Sequence, residues 1–133
     1  MNKFLVVTLG VASSMLIMDI IWLSVMSKKL YRPHLGDMIA EKFRLFPAIA
    51  FYHIYVFGLV YFVALPAVEQ MSLSASMING ALFGAIAYST YDLTNYATLR
   101  KWSFVVTLVD IGWGSILSSI ASGCGYLSWV VLS

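Results

Sequence analysis

Charge is scarce in this chain. Only 11% of its 133 residues are Asp, Glu, Lys or Arg, while 61% are hydrophobic. A soluble domain carries about 25% charged residues. So few charges cannot cover a water-facing surface, which excludes an ordinary soluble core protein and favours a membrane bundle. Cysteine is nearly absent as well: Cys124 alone excludes an intrachain disulfide and a cysteine metal cluster. No GxSxG, Walker loop, dinucleotide fingerprint, HExxH or paired-histidine spacing occurs. No reaction, resident metal or cofactor is therefore read from a motif. Gly80-x-x-x-Gly84 lies in an apolar stretch and is not a phosphate loop. The net charge of +2 is too small to suggest nucleic acid.

What is present is apolar sequence in four stretches. The expected fold is an all-α integral membrane four-helix bundle in one domain, residues 1–133, with the lipid bilayer as its partner. Spans are expected at about 4–26, 46–65, 77–97 and 103–122, each near the roughly 20 residues that a spanning helix needs. The second is expected to end at Pro66. The last apolar stretch, Ser103–Leu132, is 30 residues long, which suggests a bend or end near Gly123-Cys124-Gly125. Tyr126 and Trp129 would then lie at the interface. The first span has small residues at Ala12-Ser13-Ser14, as a cleaved signal would, but apolar sequence continues to Met26, past a signal core.

Cations give the orientation. Lys28, Lys29, Arg32, Lys42, Arg44, Arg100 and Lys101 fall on one side and Lys3 on the other, seven against one. The positive-inside rule then puts both basic loops in the cytoplasm, both termini outside, and the protein in the inner (plasma) membrane as a multi-pass chain. In the first loop Leu35, Met38, Ile39, Phe43 and Leu45 approach helical spacing. That pattern predicts a short interfacial helix over 35–45, after a break at Pro33 and Gly36.

Small residues at four-residue spacing let helices approach closely in lipid. Gly80 and Gly84, Gly114, Ser118 and Ser122, and Gly10 with Ser14 have that spacing. Ordinary bundle packing and a dedicated face for a homo-oligomer are both open.

Each stretch also carries one ionisable residue. Asp19, His53, Asp92 and Asp110 lie eight or nine residues from Lys28, Arg44, Arg100 and Lys101 respectively. That is roughly 12–13 Å of helix, so the four would share one layer in the cytoplasmic half of the membrane. Intramembrane ionisable groups are costly and usually mark a site. Neighbours at helical spacing extend the layer: Trp22 beside Asp19; Tyr88, Tyr91 and Asn95 beside Asp92; Trp113 beside Asp110. Three carboxyls at one depth cannot all stay ionised uncompensated, so protons or a cation must neutralise them. The bland alternative is a polar network that only ties helices together. Asp19-Ile20-Ile21-Trp22 also echoes Asp110-Ile111-Gly112-Trp113 on a span of opposite direction, as inverted repeats do.

Asp19-x-x-Trp22, Tyr31-Arg32, Phe51-Tyr52-x-x-Tyr55-x-x-Gly58, Tyr91-Asp92-Leu93-Thr94-Asn95 and Asp110-x-x-Trp113-Gly114 together resemble a bacterial family of small inner-membrane proteins catalogued as a domain of unknown function. The resemblance covers nearly the whole chain. Its most specific part is the Tyr91–Asn95 pentapeptide followed by Arg100 and Trp102. It implies an integral membrane protein of about four helices and brings no activity. The residues favour a small transporter or channel in which Asp19, Asp92 and Asp110 bind a proton or cation. Asn95, Tyr88, Tyr91 and His53 would line the path, and Trp22 and Trp113 would wall it. A membrane-embedded enzyme acting on a lipid, or a non-catalytic assembly subunit, are the alternatives.

Overall fold

The computed structural model describes residues 2–133 as four long helical runs joined by short turns. The first run comprises α1 (Lys3–Met26), a π-helical turn (Ser27–Tyr31), α2 (Arg32–Leu35) and a 3-10 turn (Gly36–Met38). The second comprises α3 (Leu45–Leu59), a π-helical turn (Val60–Ala64) and α4 (Leu65–Glu69). The third and fourth are the unbroken helices α5 (Leu73–Thr98) and α6 (Phe104–Leu132). Three runs, Lys3–Met38, Leu45–Glu69 and Phe104–Leu132, are long and apolar enough to cross a membrane. The other, α5, is as long at 26 residues but richer in polar side chains.

Local chemistry sets the helix starts. Asn2 Oδ1 accepts from Leu5 N at 3.1 Å, Ser72 Oγ from Ala75 N at 3.0 Å and Ser103 Oγ from Val106 N at 3.2 Å. Each hydroxyl or amide satisfies an N–H that the first turn leaves free. Between α4 and α5 the chain reverses at Met71, whose φ is 52°. Met71 N–H donates to Val68 O and Ser72 N–H to Ala67 O, the paired bonds that close a helix around a left-handed residue.

Two prolines do not end their helices. A proline inside a helix lacks an N–H and presses on the carbonyl four residues back. Here each proline follows a π turn. Arg32 N–H reaches back to Ser27 O before Pro33, and Leu65 N–H to Val60 O before Pro66. The widened turn makes room for the ring, so the second run continues to Glu69 instead of stopping at Pro66. The interfacial helix expected over 35–45 is not found. Helix continues from α1 to Leu35, Gly36 breaks it at a φ of 54°, and residues 39–44 are not helical. Nor does the last helix end near Gly123: α6 runs through it to Leu132. Gly123 and Gly125 are buried within α6, with Gly125 against Val7 and Val11.

Helix α6 is the centre, flanked by α1 and α5. Gly80 and Gly84 of α5 meet Ser118, Ser122 and the Gly114 carbonyl of α6, where no Cβ would fit. Ser76 and Ser122 hydroxyls bond across the contact at 2.6 Å, and Ser115 donates to Ala81 O at 3.0 Å. The small-residue stripes are therefore used inside the chain. The second run closes the bundle unevenly. Its later half buries Leu59, Val60, Val63 and Ala64 against α1 and α6. Its earlier half packs sparsely against the other runs, and Phe46, Ile49 and Ile54 are exposed.

Candidate functional site

Beside the earlier half of α3 lie two cavities of about 470 and 490 Å³, each with Phe51 on its wall. Both are lined by Leu23, Phe43, Phe51 and Tyr88. The larger continues to Tyr55 and Tyr91; the smaller has Asp19, Trp22, Tyr31 and Trp113 on its walls. Toward the Lys3–Glu69 end, fully buried Val7, Val11, Leu59 and Leu117 pack the bundle shut.

Behind the smaller cavity the polar residues form one connected chain. Trp113 Nε1–H points at Asp19 Oδ1 at 3.4 Å. The Trp113 and Trp22 rings stack in parallel, 4.3 Å between centroids and 7° between planes. Trp22 Nε1–H donates to the Tyr31 hydroxyl at 3.0 Å, and that hydroxyl donates to Asp110 Oδ1. The repeated Asp-x-x-Trp motifs thus cross over. The tryptophan of α6 serves the acid of α1, and the tryptophan of α1 serves the acid of α6 through Tyr31.

Asp110 adjoins Asp92 across the α5–α6 contact. Asp92 is fully buried, and neither of its carboxyl oxygens has a hydrogen-bond partner. Two carboxylates have no proton to donate to each other; a bond between them needs a shared one. Among the described residues the ion pair is Lys3–Glu69 at 2.6 Å, at the opposite end of α1, so none of the three acids is paired with a cation. Also among the described residues, no group of three His, Cys, Asp or Glu side chains is arranged to hold a metal ion.

The structure brings Asp19, Asp92, Asp110, Trp22 and Trp113 together, with Tyr88 on both cavity walls. Tyr88 packs its ring on Gly114 and meets Tyr55 edge-on at 6.1 Å. Tyr91 stands at the outer rim, over half exposed, edge-on to Trp102. Asn95 lies one turn along α5 beside Tyr91 and outside the chain of bonds. His53 does not join: it is exposed on α3, and its Nδ1 contacts Ile49 O of its own helix. Tyr31 is the residue that spacing missed. Nine residues of regular helix would set it about 180° from Trp22; the under-wound π turn brings it back.

The geometry defines an all-helical bundle with an acid pair sealed behind an open crevice. The chain belongs to the family described as predicted membrane protein (DUF2177), whose model matches residues 4–127. That membership establishes a membrane protein and assigns no activity. No curated protein and no solved structure matches the chain.

Proposed function

We propose that this is a proton-coupled carrier that takes an apolar or amphipathic solute into the crevice beside α3. One observation carries the reading. The unpartnered Asp92 carboxyl and its neighbour Asp110 are sealed from the crevice, and the Tyr31 hydroxyl, on the crevice wall, joins them to it. A buried carboxyl without a donor is costly unless neutralised. A proton shared by the pair reduces that cost without satisfying every Asp92 oxygen lone pair, and Tyr31 is the group able to pass it on. Infrared spectra of the reconstituted protein at neutral pH should contain the carbonyl band of a protonated carboxylic acid. Asp92→Asn should remove that band, and Tyr31→Phe should slow its shift in D₂O. A wild-type spectrum lacking the band overturns the reading.

The carboxyl on the wall of the smaller cavity favours a second reading, an enzyme acting on a lipid. That carboxyl is Asp19, so acid–base chemistry there would begin at Asp19.

We further propose that four helices cross the inner membrane with the basic loops in the cytoplasm, from the seven-to-one distribution of cations. In a Cys124→Ser background, an impermeant maleimide should label Met71→Cys in intact cells and Lys29→Cys only after lysis. The reverse pattern would invert the topology.

A further inference from the structure

The two cavities share the wall residues Leu23, Phe43, Phe51 and Tyr88. Phe43 lines both and is 76% exposed. It sits in the non-helical stretch before α3, between Lys42 and Arg44, both exposed. Among the described residues neither cation is in an ion pair. The stretch 27–45 holds five cations against Asp37 and Glu41, a net charge of +3. Aromatic walls that include Phe43, flanked in the chain by two exposed cations, are two-faced chemistry. The walls offer no counter-charge to a cation except Asp19 in the smaller cavity. Each volume falls within the roughly 300–1,000 Å³ of small-ligand sites.

We infer that the crevice takes a single-chain anionic amphiphile from the membrane, its hydrocarbon tail between Leu23, Phe51 and Tyr88 and its anionic head at Lys42 and Arg44. This rests on the carrier reading above and names its solute class. The tail replaces lipid contacts that the sparsely packed α3 leaves unfilled. The head gains two cations that otherwise face water, and basic side chains near a membrane surface attract anionic lipid heads. Phe43 covers the entry, where an aromatic ring suits the boundary between head and tail. The charge pattern also sets the direction of approach: the head stays at the basic-loop end while the tail points toward the packed core of Leu59 and Leu117.

Trp22 and Trp113 lie beside the proposed tail, so their emission reports it. The probe is a dibrominated stearic acid, compared with its uncharged methyl ester, titrated into the purified protein in detergent. Trp102→Phe and Trp129→Phe remove the emitters that line neither cavity; the unsubstituted protein controls for folding and should give the same midpoint. The acid should quench saturably and about tenfold more tightly than the ester, and Lys42→Gln with Arg44→Gln should bring the two together. Non-saturable quenching, equal for acid and ester, is ordinary lipid contact and overturns the inference. Full displacement by inorganic phosphate also overturns it, because the ligand would then be a free anion. The infrared acid band reads Asp92 and not the crevice. Band present without saturable quenching discards the amphiphile. Quenching with no band keeps the binding site and discards the proton coupling.

Discussion

Gly84→Ala should lower the stability of the purified protein by about 2–3 kcal/mol, the upper part of the range for overpacking a close contact, although alanine is the better helix former. A Cβ at Gly84 would run into the Gly114 carbonyl and the Ser118 hydroxyl of α6. The first of these is backbone and cannot rotate aside, so α5 must move off α6 along the contact that holds the bundle. In lipid there is little hydrophobic drive to restore it, since the tails are as apolar as the side chains. Gly112→Ala is the matched control. Gly112 is also in a helix, yet a Cβ there meets nothing within 4 Å, so that variant should gain roughly 0.5–1 kcal/mol from helix propensity. Thermal unfolding in one detergent compares them. Equal midpoints for the two variants would show that the α5–α6 glycine contact is not what sets stability.

The same contrast shows what could be read from residue spacing. The four-residue rhythm of Gly80, Gly84, Gly114, Ser118 and Ser122 announced close helix contact because the rule is local: two small residues on one face make one groove. Which groove it fits is a tertiary fact, and α6 supplies it here. Helix starts are set as locally, with Asn2, Ser72 and Ser103 each acting within three residues, yet hydropathy placed the third start near 77 and the helix begins at Leu73, because its first turn is polar. Helix ends were less legible. Pro33 and Pro66 read as stops, since proline removes a bond that a regular helix needs. The π turns before them show that one wider turn absorbs the defect. That choice decides the site, because it rotates Tyr31 onto Asp110. Counting from flanking cations put Asp19, Asp92 and Asp110 at one level; in the fold Asp92 adjoins Asp110, and Asp19 reaches them only through the stacked Trp113 and Trp22 and the Tyr31 hydroxyl. His53 matched the same count and faces outward. Depth is set by position along a helix, whereas facing depends on how that helix packs, and the first half of α3 hardly packs at all.

Asp92 and Asp110 should respond to substitution with opposite signs, although they are neighbours and chemically identical. Asp92 is fully buried with both oxygens unpartnered. Asp92→Asn supplies an amide N–H that can donate to Asp110, satisfying one group and removing one acid. Leaving a buried polar group unpaired costs about 1–3 kcal/mol, so Asp92→Asn should raise stability by a sizeable part of that. Asp110→Leu does the reverse. It strips the acceptor from the Tyr31 hydroxyl, which also receives the Trp22 N–H, and leaves Asp92 beside a wall with nothing to share. The cost should be about 2–4 kcal/mol, the loss of a charge-assisted bond plus an orphaned hydroxyl. Function should fail in both: saturable exchange of the acid proton through Tyr31 needs both carboxyls. A protein that keeps Asp92 at the expense of its own stability has a use for that group, and a packing network would not. If Asp92→Asn is as destabilising as Asp110→Leu, then Asp92 is a structural tie between α5 and α6, and the proton reading of the pair falls with it.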